Sequence, residues 1–135
     1  MFLTALRRFA LSLSAAAHRR LAHERALAAL WPQVPGVLIS DSFGRPWRYG
    51  VVNVAIGASG LPALIDRRGE LDREGRRLEV TQVALADMIA SAAGIATGEG
   101  AESIPAVIVR GVPATQAPDA RATALVRPLA EDLFQ

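Results

Sequence analysis

Apolar and polar positions divide the chain into three stretches of different period. In the first, Phe2, Leu6, Phe9 and Leu13 recur at steps of four, three and four residues, which is one face of a helix. Leu21, Leu27, Leu30 and Trp31 continue the apolar stripe, with Arg19, Arg20 and Arg25 outside it. Trp31-Pro32 followed by Pro35-Gly36 ends this helix in a turn.

The second stretch loses the helical period. Val37-Leu38-Ile39 reads as a short buried strand that runs out into polar Ser40-Asp41-Ser42, and Phe43-Gly44-Arg45-Pro46 reads as a loop. Val51 to Ile56 is β-branched and strand-like, with Gly57, Ser59, Gly60 and Pro62 breaking it. Ala63-Leu64-Ile65 predicts another short strand. Charged residues 66–77 carry Gly69 and Gly75, which suggest hairpin turns.

The helical period returns at 80–96, where Val80, Ala84, Met88 and Ala92 form one row and Leu85, Ile89 and Ala93 another. Thr81 is the expected N-cap and Gly94 the expected stop. A flexible acidic loop follows at Gly98 to Ser103, then a buried strand over Ala106 to Val109 closed by Arg110-Gly111-Val112-Pro113. Residues 114–124 read as loop, and Leu129 to Phe134 as a short terminal helix. Strands and helices mix without regular βαβ alternation, which predicts an α+β fold of short strands, one central helix and an N-terminal helix. Residues 1–34 form the helical segment and 35–135 the remaining unit, and no internal repeat interrupts them.

Composition narrows the chemistry. The chain has 135 residues, enough for one domain with a core, and that core must be aliphatic because aromatics are only 5%. All 15 basic side chains are arginine and cysteine is absent. A lysine-dependent phosphate loop, a Schiff base, thiolate catalysis, a disulfide framework and a cysteine zinc site are therefore excluded. Two histidines, His18 and His23, are spaced so that they do not share a helix face. Any metal must sit on oxygen donors, which favours Mg²⁺, Mn²⁺ or Ca²⁺. Charge is uneven: residues 1–48 hold seven Arg and two acids, residues 49–135 eight Arg and eleven acids. No apolar run reaches the length of a membrane span, and a cytoplasmic protein is expected. The basic start carries no nucleic-acid motif and few aromatics to stack on bases, so neither nucleic acid nor membrane is an expected partner.

Three groups of side chains suggest chemistry. Asp41 and Ser42 offer hard oxygen donors, either for a divalent cation or for capping a local turn. Arg45, Arg48, Arg67 and Arg68 suit phosphates and carboxylates, with solvated loop the alternative reading for Arg67 and Arg68. The loop Thr97, Gly98, Glu99, Gly100, Ala101, Glu102, Ser103, Ile104 has glycines that let a backbone approach a phosphate and carboxylates that could reach a metal. The alternative there is an acidic surface loop. The loop lacks G-x-G-x-x-G, and Gly57-Ala58-Ser59-Gly60 is one residue short of the hydrolase elbow.

In order along the chain, these segments resemble one family. Ile39-Ser40-Asp41-Ser42-Phe43-Gly44-Arg45-Pro46-Trp47-Arg48 is similar to the signature of the coenzyme F(420)-0:L-glutamate ligases. Asn53-Val54-Ala55-Ile56-Gly57, Arg68-Gly69-Glu70-Leu71-Asp72, Val80-Thr81-Gln82, Ala86-Asp87 and Ile104 to Gly111 follow in the same order. Leu125-Val126-Arg127-Pro128 and Glu131-Asp132-Leu133-Phe134 are similar to the place where the family's ligase domain closes. The resemblance covers residues 25–135 and leaves 1–24 poorly matched.

The resemblance implies a GTP- and metal-dependent ligase that adds L-glutamate to the lactyl-phosphate side chain of a deazaflavin cofactor through an acyl phosphate. It implies Asp41 and Ser42 as metal ligands, the latter usually threonine in the family, and Glu99 at a position where a metal-binding glutamine is common. It implies that Thr97–Ile104 lines the GTP site and that the protein is a homodimer. Arg45 and Arg48 are assigned to the catalytic site on charge alone, and Tyr49 stands where many relatives carry a base. A family ligase domain is about twice this length. The chain is thus expected to be the C-terminal part of a two-domain ligase, with its first half lost or separately encoded. A non-catalytic remnant or interaction subunit that keeps the fold is the alternative.

Overall fold

The computed structural model describes residues 35–113 and 121–131. The expected N-terminal helix, His18 and His23, and residues 132–134 of the expected terminal helix lie outside them.

A long antiparallel hairpin organises this region. Strand β1 (Val37–Gly44) pairs with β2 (Val51–Ser59), Val37 opposite Ser59 and Gly44 opposite Val51. The register slips between Ile39 and Ser40: Ile39 faces Gly57 and Ser40 faces Ala55, so Ile56 is the extra residue of a β-bulge. Both strands run further than the sequence predicts. Ser40-Asp41-Ser42 and Phe43-Gly44 belong to β1, so Asp41 lies within the strand and not at its end. β2 continues through Gly57, which pairs with Ile39 of β1. Pairing overrides the local preference of glycine to break a strand.

A smaller pair, β3 (Ile65–Asp66) with β4 (Gln82–Val83), closes the charged excursion between them. Here the expected turns stand: Gly69 and Gly75 have φ of +90° and +80°, in the region that favours glycine. The excursion's ion pairs are local and exposed: Arg67 to Glu70, Arg68 to Asp66, and Arg76 to both Asp72 and Glu74. Arg67 and Arg68 are thus solvated hairpin residues.

Helix α1 (Leu85–Thr97) packs on β2. It starts later than expected because Gln82-Val83 pair as β4. Thr81 is not its cap; the Thr81 carbonyl accepts the Arg67 N–H at 3.0 Å. Of the two apolar rows, the Leu85 row faces inward while Val80 and Met88 are 85% and 60% exposed. The core is alanine-built: Ala55, Ala58, Ala63, Ala86, Ala90 and Ala122, with Leu38, Ile56 and Leu125 against it. Small side chains let the helix lie close to the strand, as an aromatic-poor composition requires. Gly94 does not stop the helix; α1 runs on to Gly98, whose N–H bonds the Gly94 carbonyl at 3.0 Å.

Ala106–Val109 is neither strand nor buried. It finds no sheet partner among the described residues, and Ile108 is 70% exposed. Residues 122–125 and 129–131 form short 3₁₀ turns, the second within the expected terminal helix. The described region is therefore mixed α and β, as expected. No helix in it is long and apolar enough to cross a membrane.

Candidate functional site

The hairpin and the end of α1 place the candidate residues. Asp41 and Ser42 are exposed neighbours on β1, and Ser42 N–H donates to Asp41 Oδ1 at 2.8 Å. Ser42 faces Asn53 across the hairpin and Asp41 faces Val54. Successive strand residues point to opposite sides, so Ser42 shares a face with Asn53 and Ala55, and Asp41 lies on the other. Ala55 is buried under α1, which makes the Ser42 side the helix side. β1 has no further sheet neighbour among the described residues, so both Asp41 and Ser42 border an open strand edge.

Glu99 approaches from the loop after α1. The Asn53 amide Nδ2 donates to Glu99 Oε1 at 3.4 Å. Ser91 Oγ donates to the Asn53 carbonyl at 2.8 Å, fixing β2 to the helix about two turns earlier. The structure thus brings Ser42 and Glu99 to one face through Asn53, while Asp41 is carried on the opposite face of the same strand. Among the described residues neither Asp41 nor Glu99 forms an ion pair. No three carboxylate or imidazole groups converge there either. Ser42 and Glu99 offer a hydroxyl and a carboxylate on one face, and Asp41 a carboxylate on the other face at the open edge of β1; all are oxygen donors open to solvent, the type a hard divalent cation takes.

The rest of the loop is shaped by glycine. Gly98 has φ +68° and ψ −177°, a conformation open essentially to glycine alone. Glu102 folds back over it, and its Oε2 accepts the Gly100 N–H at 2.8 Å. Ser103 is also left-handed, with φ +54°, and its hydroxyl reaches the Ala101 carbonyl at 3.4 Å. Thr97 Oγ1 turns back to the Gly94 carbonyl at 3.5 Å, and Ile104 is partly exposed. Glu102 is therefore committed to its own loop, whereas Glu99 points to the hairpin.

Arg45 and Arg48 sit in the turn between β1 and β2. Arg45 is half-buried and its Nη2 donates to the Tyr49 carbonyl at 2.8 Å, which staples the turn. Arg48 is exposed, and its N–H closes on the Arg45 carbonyl at 3.4 Å. The structure sets both at the hairpin tip, beyond Asp41 and Ser42 in the direction of Gly44.

Two residues that sequence reasoning left without a role support this arrangement. Asn53 is a polar residue in a β-branched run, and Asp87 is the only acid in an apolar helix; each is a signal of a specific contact. Asp87 Oδ1 accepts the Ala55 N–H at 2.8 Å beside the bulge. Burial pushes its carboxyl up from the ordinary value, and the Ala55 hydrogen bond offsets part of that rise.

Comparison with known proteins agrees with the motif order. The family model described as F420-0:Gamma-glutamyl ligase matches residues 17–111, a span that takes in Asp41, Ser42 and Glu99. A coenzyme F420:L-glutamate ligase of Methanocaldococcus jannaschii is 50% identical over 100 residues, which cover 74% of this chain and 40% of the relative. One of Methanopyrus kandleri is 50% identical over 103 residues, covering 74% and 41%. A third, from Natronomonas pharaonis, is 51% identical over 74 residues, covering 55% and 29%. The chain spans about 40% of the length of the first two. On these matches the chain belongs to the F420-0:gamma-glutamyl ligase family.

Proposed function

We propose that this chain is the C-terminal part of a ligase that adds L-glutamate to the deazaflavin cofactor F420-0. The approach of Glu99 to the face of Ser42, one residue from Asp41, is the observation that carries the reading. Asp41, Ser42 and Glu99 would hold Mg²⁺ or Mn²⁺, with Asp41 reaching it around the open edge of β1, and the cation would supply charge screening for the phosphates. The Thr97–Ile104 loop borders GTP, since Gly98 and Gly100 expose backbone there and the Gly100 N–H already accommodates a carboxylate oxygen. Arg45 and Arg48 add positive charge at the hairpin tip, where polyphosphate and carboxylate must be brought together.

The reaction runs in two transfers. The γ-phosphoryl group of GTP passes to a carboxylate oxygen of the lactyl side chain, and GDP leaves. The glutamate amine then attacks the acyl carbon, an amide bond forms, the amine loses its proton and phosphate departs. The chain's part in the first transfer is to hold the phosphates and the carboxylate in one orientation. The remaining portion of the two-domain ligase, on the same or a separate polypeptide, supplies further nucleotide contacts. The working form is a homodimer or a complex with that portion, in the cytoplasm.

The test is reconstitution. The chain is combined with the N-terminal portion of a relative, fused or mixed, and glutamate addition to F420-0 is followed by mass spectrometry. GTP- and Mn²⁺-dependent product that disappears in Asp41→Ala is the expected result. No product, where the intact relative is active in the same assay, overturns the reading in favour of a non-catalytic subunit.

A further inference from the structure

We propose that Asn53 is a positioning residue for the cation site, holding Glu99 on the face of the hairpin that Ser42 occupies. The inference rests on the ligase reading above and adds to it a residue with a defined task.

Four contacts converge on Asn53. It is the cross-strand partner of Ser42, so the two side chains stand on one face with Cβ atoms roughly 4.5–5.5 Å apart. Its carbonyl accepts the Ser91 hydroxyl at 2.8 Å, which fixes the strand against α1. Its side chain lies over Gly94, where an added Cβ would come within 2.8 Å of Asn53 Cγ and overlap Oδ1 outright. Its Nδ2 reaches Glu99 Oε1 at 3.4 Å.

Glycine weakens a helix interior, yet α1 carries one where the Asn53 amide needs room. The Asn53–Glu99 bond is long, so the amide is held by its packing on Gly94 more than by the bond itself. Held there, it presents an N–H to one oxygen of Glu99. That orients the carboxylate and leaves its second oxygen with no other hydrogen bond among the described residues. Hydrogen bonds of this kind to a metal-ligating carboxylate set its direction, and losing one typically weakens metal binding about 10- to 100-fold.

The experiment compares the wild-type chain with Asn53→Ala and Asn53→Asp. Both keep the backbone carbonyl that Ser91 holds, and Asn53→Asp keeps the side-chain shape while exchanging the N–H donor for an acceptor. Two readouts are taken on each: Mn²⁺ affinity by calorimetry, and amide hydrogen exchange over residues 98–103 without metal. Faster loop exchange in both variants, with Mn²⁺ binding weakened about 10- to 100-fold in Asn53→Ala, is the expected result. Exchange as slow in Asn53→Asp as in the wild type overturns the positioning role. Equal Mn²⁺ affinity in wild type and Asn53→Ala overturns it as well. Absence of Mn²⁺ binding by the wild-type chain overturns the ligase reading instead, and the exchange data then still decide whether Asn53 positions the loop.

Discussion

The carboxylate of Asp87, on α1, accepts the backbone N–H of Ala55, on β2, at 2.8 Å. Ala55 is where the hairpin register changes, so this bond holds the helix to the strand beside the bulge. Burial raises the Asp87 carboxyl above its ordinary 3.8. Between 3.8 and that raised value the folded chain keeps a proton that the unfolded chain has released. Stability therefore falls as pH rises through that window and levels off above it. Asp87→Asn keeps an acceptor oxygen and carries no charge, so it is expected to remove this part of the pH dependence. Denaturant unfolding of both proteins at a series of pH values checks it; parallel curves for the two would sink the idea. Asp87→Ala leaves the Ala55 N–H without its acceptor and is expected to destabilise by about 1–3 kcal/mol.

Asp66 titrates in the opposite sense. The Arg68 side chain, then the Arg68 backbone N–H, hold its carboxyl down at about 2. Whatever stability this gives is present above 3.8 and is lost as pH falls from there through about 2. The pair is exposed and screened by salt. Arg68→Ala is expected to return the Asp66 carboxyl toward 3.8 in an NMR titration while the melting temperature barely moves. A large drop in melting temperature would show that the pair has a structural role its exposure argues against.

Gly94→Ala tests the contact between helix and hairpin. Alanine is the better helix former by about 0.8–1 kcal/mol, so an uncrowded site would gain stability. Here the new methyl meets Asn53, whose backbone is tied to Ser91 and to β1. Overpacking of this kind typically costs about 1–3 kcal/mol, so net destabilisation is the expected outcome. A rise in melting temperature would mean that Asn53 does not occupy that space.

The same glycine shows how far the sequence could be read. Gly94 has the local signature of a helix stop, and nothing nearby in sequence announces that Asn53 will lie across it. Thr81 has the signature of a cap, but pairing of Gln82-Val83 with Ile65-Asp66 keeps the chain extended past it. In both cases a tertiary contact outweighs a local preference. Ala106–Val109 errs the other way, since a β-branched run makes a strand only where a partner pairs with it. The turns at Gly69 and Gly75 are legible because left-handed backbone is a local property. So is the α+β mixture, and motif order pointed to the family. Asp41, Ser42 and Glu99 are legible as oxygen donors in the sequence, but the contact that brings Glu99 to the hairpin is with Asn53, 46 residues away.

Gly98→Ala examines the loop itself. The residue combines a left-handed φ with an extended ψ, and an added Cβ would run into the folded-back Glu102 side chain. Backbone strain in this region costs about 1–3 kcal/mol. Relief requires Glu102 to leave the Gly100 N–H or the end of α1 to unwind, since the Gly98 N–H closes its last turn. Faster amide exchange at Gly98 and Gly100 is the expected signature, with the β1–β2 amides unchanged. Uniform acceleration across the hairpin would instead show that loop and hairpin open as one unit.

Glu99→Gln separates charge from geometry at the candidate cation site. Glutamine keeps one oxygen that can accept the Asn53 N–H, so the loop is expected to hold its place. What it loses is one negative charge and the second oxygen that Asn53 leaves free, and a charged oxygen ligand contributes more than a neutral amide to a hard cation. Mn²⁺ affinity is therefore expected to drop about tenfold, roughly 1.4 kcal/mol, with loop exchange unchanged. Nucleotide affinity should move the other way, because a carboxylate next to phosphate oxygens is repulsive and its removal relieves that. Calorimetry with Mn²⁺ and with GTP on the same variant reads both changes. If both affinities fall together, Glu99 contributes shape to the loop and its charge is not what the site uses.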